Sequence, residues 1–218
     1  QVGLDGGAYI DCWHLRPEAS LKGGLEKAAG KPLVNYDLTS QESAVFARAG
    51  PAYACMRRRS AQCKFIDGLD IIEASGMHGK GYARGYESVD VRDWFFSCHF
   101  WCDPVVPGSL GIEAMHQSLE LYCVHTAAAA GISSPRFEHD LGKTVWAYRG
   151  QLTPKNKSLD CEVHVKKIES AGGTITVHAD GFLYVDRLRV YRCTDLRIKI
   201  VPGGEAQPAL PAAVPAAL

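Results

Sequence analysis

The stretch Trp94-Phe95-Phe96-Ser97-Cys98-His99-Phe100-Trp101-Cys102-Asp103-Pro104-Val105-Val106-Pro107-Gly108-Ser109-Leu110-Gly111-Ile112-Glu113-Ala114-Met115-His116-Gln117 decides how the rest of the chain is read. Its first eight residues are densely aromatic, and Asp103-Pro104 stops any regular element there. Pro107-Gly108 then precedes the one long helical signal, over 109–130. Leu110, Ala114, Met115, Leu119, Tyr122 and Cys123 recur at three-and-four spacing. Ala127 to Ala130 favour helix intrinsically, and Gly131 closes the segment.

Working outward, everything downstream reads as strand. Residues 144–152, 159–168, 174–185 and 188–200 are rich in Val, Ile, Thr and Tyr, and three turn signals separate them. Turns in series imply an antiparallel meander. Upstream, Thr39 followed by Glu42 resembles a capping box opening a short helix over 41–49, which Gly50-Pro51 ends. Residues 63–74 read as strand around an Asp67-Gly68 turn, and 80–91 as a second strand. One long, apolar helix among about six antiparallel strands is an α+β layout in which the sheet wraps the helix.

Residues 1–38 read as an irregular lead-in. Residues 202–218, rich in Pro and Ala with one charge at Glu205, read as a semi-stiff linker. The folded domain is therefore expected over 39–201. A start at Gln1-Val2-Gly3 without Met, and a linker at the far end, read as a piece of a longer polypeptide.

Of the 218 residues, 46% are hydrophobic and 22% charged, enough to bury a core without disulfides or metal. Lys plus Arg and Asp plus Glu each number 24, so the formal net charge is zero. That excludes a global electrostatic footprint for nucleic acid and a polybasic membrane anchor. No segment approaches the roughly 18 uncharged apolar residues of a membrane span. The eight cysteines, at 12, 55, 63, 98, 102, 123, 161 and 193, include no C-x-x-C pair. Cys98 and Cys102 flank His99, but no second ligand pair follows at zinc-like spacing. They read as reduced thiols of a cytoplasmic protein, and no metal is expected.

The opening stretch also carries chemistry. Pro107-Gly108 at a helix start presents free backbone N–H groups and the positive dipole end to an oxygen gaining negative charge. Glu113 falls early in the helix, and Gln117 lies one turn further on the same face. An imidazole, a carboxyl group and a helix N-terminus supply base, acid and electrophilic donor. Proton abstraction beside a carbonyl with loss of a β-hydroxyl needs those three parts. His116, His125, His164 and His178 have no such company and read as packing or surface residues. Arg57-Arg58-Arg59 with Lys64, and Lys155, Lys157, Lys166 and Lys167, form two basic runs. Each is either a solvated face or a dock for an acidic partner.

From Trp94 to Met115 the chain carries the pattern W-F-F-x-C-H-F-x-x-D-P-V-x-P-G-x-L-G-[LI]-[DE]-A-M unbroken. It closely resembles the β-hydroxyacyl-acyl-carrier-protein dehydratases of the hotdog fold, the β-hydroxydecanoyl dehydratase/isomerase branch in particular. It is nearer still to the dehydratase domains of multidomain polyunsaturated fatty acid synthases. Similarity extends over roughly 39–201, through Tyr148 to Pro154, Ala179-Asp180-Gly181 and Asp195-Leu196.

The resemblance implies a 3-hydroxyacyl substrate carried on the phosphopantetheine of an acyl carrier protein, with no other cofactor. His99 would take the α-proton, and Glu113 would protonate or hold the departing 3-hydroxyl. The Gly108 amide would donate to the thioester carbonyl, and Gln117 would orient the acid. It further implies a second hotdog unit, as a homodimer or an adjacent domain, since in such enzymes the two catalytic groups come from different units. Glu113 stands where the isomerase branch has Asp, and one added methylene moves the carboxyl by about 1.5 Å. Three readings follow: dehydration to the trans-2-enoyl thioester, dehydration with isomerisation to a cis-3 product, or a non-catalytic hotdog completing a neighbouring unit. A hotdog thioesterase fits the His-Phe to Pro-Gly loop less well.

Overall fold

The computed structural model describes residues 30–40, 42–56, 61–139 and 142–203. Eight strands form one antiparallel sheet: β1 (Val34–Asp37), β2 (Gly68–Glu73), β3 (Gly81–Ser88), β4 (Pro135–His139), β5 (Val145–Tyr148), β6 (Ser158–Ala171), β7 (Thr174–Val185) and β8 (Leu188–Pro202). The α-helices among the described residues are α1 (Glu42–Ala49), α2 (Trp94–Cys98) and α3 (Gly108–His125). Strand order is β1-β2-β3-β6-β7-β8-β4, with β5 also paired to β8. Among the described residues no helix is long and apolar enough to cross a membrane.

The helix α3 lies against β3, β6, β7 and β8, and α1 packs on its side. Eleven of its eighteen residues are buried, on nearly every face. That matches an apolar helix enclosed by a sheet, the hotdog arrangement. Alternation along the strands builds the two faces. Ala83 and Gly85 of β3 and Cys161, Val163 and Val165 of β6 turn inward to the helix and are buried. Tyr82 and Arg84, then Asp160, Glu162 and His164, turn to the other face. There the Glu162 carboxylate, only 1% exposed, accepts hydrogen bonds from the hydroxyls of Tyr82 (2.8 Å) and Tyr184 (2.9 Å). Arg84 bridges Asp70 and Asp160 beside it. The buried charges are thus hydrogen-bonded or paired, as burial requires.

The structure departs from the sequence reading at several places; residues 63–67, read as the start of a strand, carry none, and β2 begins only at Gly68. Residues 34–37, placed in the lead-in, pair with β2 in the register Val34↔Ile71 to Asp37↔Gly68. So the sheet begins before residue 39. Eight strands replace about six, because β4 joins β8 after the helix. The meander holds for β6-β7-β8 only; β5 pairs with β8, and the turn at 154–157 leads away from it to β6. Finally, 94–98 is helical, where the aromatic density showed no period. The lead-in up to residue 29 and the linker from 204 onward lie outside the described residues.

The long helix also stops earlier than its composition suggests. The N–H of Ala128 donates to the Cys123 carbonyl (2.9 Å) and that of Ala127 to Val124 (3.0 Å), a Schellman arrangement. Ala127 occupies the left-handed position at φ 50°, where glycine is usual. Thr126 assists by donating its hydroxyl to the Tyr122 carbonyl (3.0 Å). Ala127→Gly is expected to raise stability by about 0.5–1 kcal/mol, the left-handed strain relieved less the added chain entropy. A Cβ at Gly85 would lie 2.3 Å from Ser118 Oγ and 2.8 Å from Ile66 Cγ2. Gly85→Ala is therefore expected to cost about 1–3 kcal/mol through overpacking. Denaturant midpoints at constant slope check both changes.

Candidate active site

His99 follows directly on α2, and its N–H donates to the Phe95 carbonyl (3.1 Å), closing the helix. This helix is short and has no side-chain N-cap, so packing holds it. Phe95 and Phe96 are buried, with Phe95 in ring contact with Phe65, Trp94 and Phe96. Trp94 Nε1 donates to the Gln62 carbonyl (3.0 Å), fastening the first turn. The His99 ring lies against Phe100, half-buried beside an exposed loop.

The loop from 99 to 107 returns the chain to α3. Cys102 takes a left-handed φ of 56°, and Val105 and Val106 are buried. The Val106 N–H donates to the Leu152 carbonyl (2.9 Å), which pins the loop to the segment after β5. Pro107 is the N-cap, with fixed φ of −51°, and α3 begins at Gly108. The Gly108 amide is therefore in the first helical turn, where backbone donors lack intrahelical partners. A Cβ on Gly108 would sit 3.1 Å from the Trp146 ring and 3.3 Å from Tyr148, so this helix start lies close under an aromatic wall. Trp146, Tyr148 and Tyr191 make up that wall by mutual ring contact.

Glu113 is half-buried on the second turn. Gln117 Nε2 donates to Glu113 Oε1 (3.0 Å) and also to the Cys63 carbonyl (2.7 Å). Its Oε1 accepts the Phe65 N–H (3.0 Å). The Gln117 amide is thus held on three sides, and its orientation toward the carboxyl is set by backbone groups outside the helix. Of the four residues singled out in the sequence, Glu113 and Gln117 are joined and Gly108 opens the same helix. Among the described residues the structure records no hydrogen bond between His99 and Glu113.

Trp146 was missed by the sequence reading. Its signal is the i, i+2 spacing with Tyr148 on one face of β5, which becomes meaningful only once β5 is placed beside the helix start. Cys63 and Phe65 were likewise unread, because they contribute backbone atoms. The other histidines pack as expected. His125 is buried between Tyr36 (2.8 Å) and Glu73 (3.1 Å), and burial lowers its affinity for a proton. Of the basic runs, Lys166 pairs with Asp180 and Lys167 with Glu169, while Lys155 and Lys157 are exposed on the turn after Leu152. Arg57-Arg58-Arg59 lie outside the described residues. Around the loop, Phe100 and Trp101 are 55% and 95% exposed.

Gln117→Leu leaves the Phe65 N–H and Cys63 carbonyl unpaired. It is expected to cost about 1–3 kcal/mol of stability, measurable by denaturant unfolding.

Comparison with known proteins gives a consistent result. Residues 59–194 match the FabA-like domain family. The chain is 41% identical over 211 residues to a polyunsaturated fatty acid synthase subunit of Thraustochytrium sp. (strain ATCC 26185 / S-3), a match that takes in 94% of this chain. It spans only 13% of that relative's length. Among solved structures it is similar to the dehydratase heterocomplex ApeI:P from Xenorhabdus doucetiae, at 14% identity and a TM-score of 0.46, covering 67% of this chain and 88% of that one. It is also similar to Cj0977, a sigma28-regulated virulence protein from Campylobacter jejuni. There the identity is 12% and the TM-score 0.42, covering 76% of this chain and 93% of that one.

Proposed function

The chain belongs to the FabA-like domain family, and on that premise we propose that it dehydrates 3-hydroxyacyl thioesters on an acyl carrier protein to trans-2-enoyl thioesters, as one dehydratase unit of a polyunsaturated fatty acid synthase. The observation that carries this reading is the Glu113 carboxyl, anchored by Gln117 one turn into the helix whose first amide is Gly108.

In this reading His99 removes the α-proton, and the thioester oxygen gains charge as it does so. The Gly108 amide and the positive end of α3 stabilise that oxygen. Collapse of the enolate forms the C2–C3 double bond and breaks the C3–O bond, with Glu113 delivering its proton to the leaving hydroxyl as water. His99 ends protonated and Glu113 ionised, and a proton passing back resets both. Gln117, fixed by backbone partners, holds the acid within reach of C3. Trp146 and Tyr148 wall off the helix start and exclude water from the charged oxygen.

A second hotdog unit supplies what one chain lacks. Exposed apolar side chains grouped at one place mark an interface, and Phe100 and Trp101 lie beside His99. An acidic carrier protein would meet Lys155 and Lys157, next to the residue that pins the His99 loop. We place the activity in the cytoplasm.

The test follows enoyl formation from a 3-hydroxyacyl thioester on a surrogate carrier by the mass loss of one water. His99→Ala and Glu113→Gln are each expected to lower the rate about 10²–10⁴-fold, the usual contribution of a general base or acid. A folded His99→Ala protein as active as wild type, or wild type with no product, overturns the reading. A cis-3 product would add isomerisation to the activity.

A further inference from the structure

Alternation along β3 places Glu87 in the inward row that begins with Ala83 and Gly85, opposite Leu159 of β6. A carboxyl therefore arrives where the pattern calls for an apolar group. It borders a narrow gap beneath α2, of about 10 Å³, room for a single water. Phe65, Phe95, Leu110 and Leu152 wall the gap, so the segments before β2, in α2, in α3 and after β5 face Glu87 with hydrocarbon. Glu87 is itself half-buried, so its carboxyl is stripped of part of its hydration on this side.

Among the described residues, the charged groups that act on Glu87 there are Asp67 and Asp93. Asp93, the residue before the first turn of α2, lines the same gap and accepts the Phe96 N–H at its carbonyl (3.1 Å). Asp67 accepts the Ser88 N–H on its carboxylate (3.1 Å), one residue beyond Glu87. The adjacent cation, Arg92, is engaged by Asp90 at 2.6 Å. Burial first, then Asp67 and Asp93, push the Glu87 carboxyl up to about 8. Asp93 is raised as well, by burial before its acidic neighbours. Asp93 starts the five-residue helix that His99 ends, so any displacement of one is transmitted to the other within about one and a half helical turns.

Building on the reading of His99 as the base, we propose that Glu87 is its positioning residue: as the neutral acid it lets Asp93 and α2 close over the gap, and its ionisation repels Asp93 and loosens the helix that holds the imidazole. The direction follows from proton binding. Between the ordinary glutamate value of 4.5 and about 8 the folded chain keeps a proton that the unfolded chain has released. Stability therefore falls as pH rises through that window, and above it the folded site itself carries the repulsion.

The experiment records kcat/KM against pH together with intrinsic tryptophan fluorescence of the substrate-free protein, Trp94 and Trp101 flanking the moving element. For wild type, kcat/KM is expected to fall about tenfold from pH 7 to pH 9, as the protonated fraction of a group titrating near 8 does. A fluorescence transition should share that midpoint. Glu87→Gln, a neutral isostere, is expected to lose both while working at neutral pH. Asp93→Asn, still a good helix-starting residue, leaves Glu87 no charge on α2 to repel and is expected to lose the fluorescence transition. An alkaline limb and a fluorescence change that persist unaltered in Glu87→Gln overturn the proposal, as does a wild-type fluorescence flat through pH 8. Should His99→Ala prove fully active, the reading of the base fails, and the fluorescence titration still decides on Glu87.

Discussion

The structure depends on how closely α3 can approach the sheet. Three glycines set that distance. A Cβ on Gly111 of the helix would lie 2.3 Å from the Tyr191 ring, one on Gly181 of β7 2.6 Å from Met115 Sδ, and one on Gly85 of β3 2.3 Å from Ser118 Oγ. With side chains absent at these contacts, Met115 and Ser118 fill the space that a Cβ would need, at the density of a protein interior. The same seat fixes the rotation of the helix. It leaves Glu113 half-buried at the edge, puts Gln117 against the backbone at 63–65, and aims the Gly108 end at Trp146 and Tyr148.

Around that seat the protein treats three carboxyl groups differently. Glu162 is fully enclosed and held by two tyrosine hydroxyls, beside Arg84 and its two aspartates, Asp70 and Asp160, so its burial is matched by hydrogen bonds. Glu113 is half-buried and accepts from the Gln117 amide, a setting that suits the proton exchange proposed for it. Glu87 has hydrocarbon and two other acids for company, and it answers by holding its proton. One residue type thus meets three different surroundings, and its partners and protonation follow from them.

Much of the site was legible because it is contiguous. His99, the loop, the helix start, Glu113 and the amide beyond it fall within residues 94–117, and the i, i+4 relation of Glu113 to Gln117 is a property of any α-helix. The long strands were legible from their Val, Ile and Tyr content. What escaped was non-local. A four-residue strand such as Val34–Asp37 carries too little pattern to stand out, and only its pairing with β2 identifies it. The placement of β5 beside β8, and hence of Trp146 over Gly108, depends on the path of the whole meander.

By itself, the sequence determined that an apolar helix would be wrapped by antiparallel strands, and that an imidazole, a helix N-terminus and a carboxyl would lie close along the chain. Those are consequences of period and spacing, which act between neighbours. Tertiary structure alone decided where the helix ends, since Ala127 accepts a left-handed turn that its own preference resists. It also decided which partners hold Gln117 and that Glu87 faces a narrow gap beneath α2 that Asp93 also lines. Burial and the sum of distant charges settle such matters, and neither exists until strands far apart in sequence have come together.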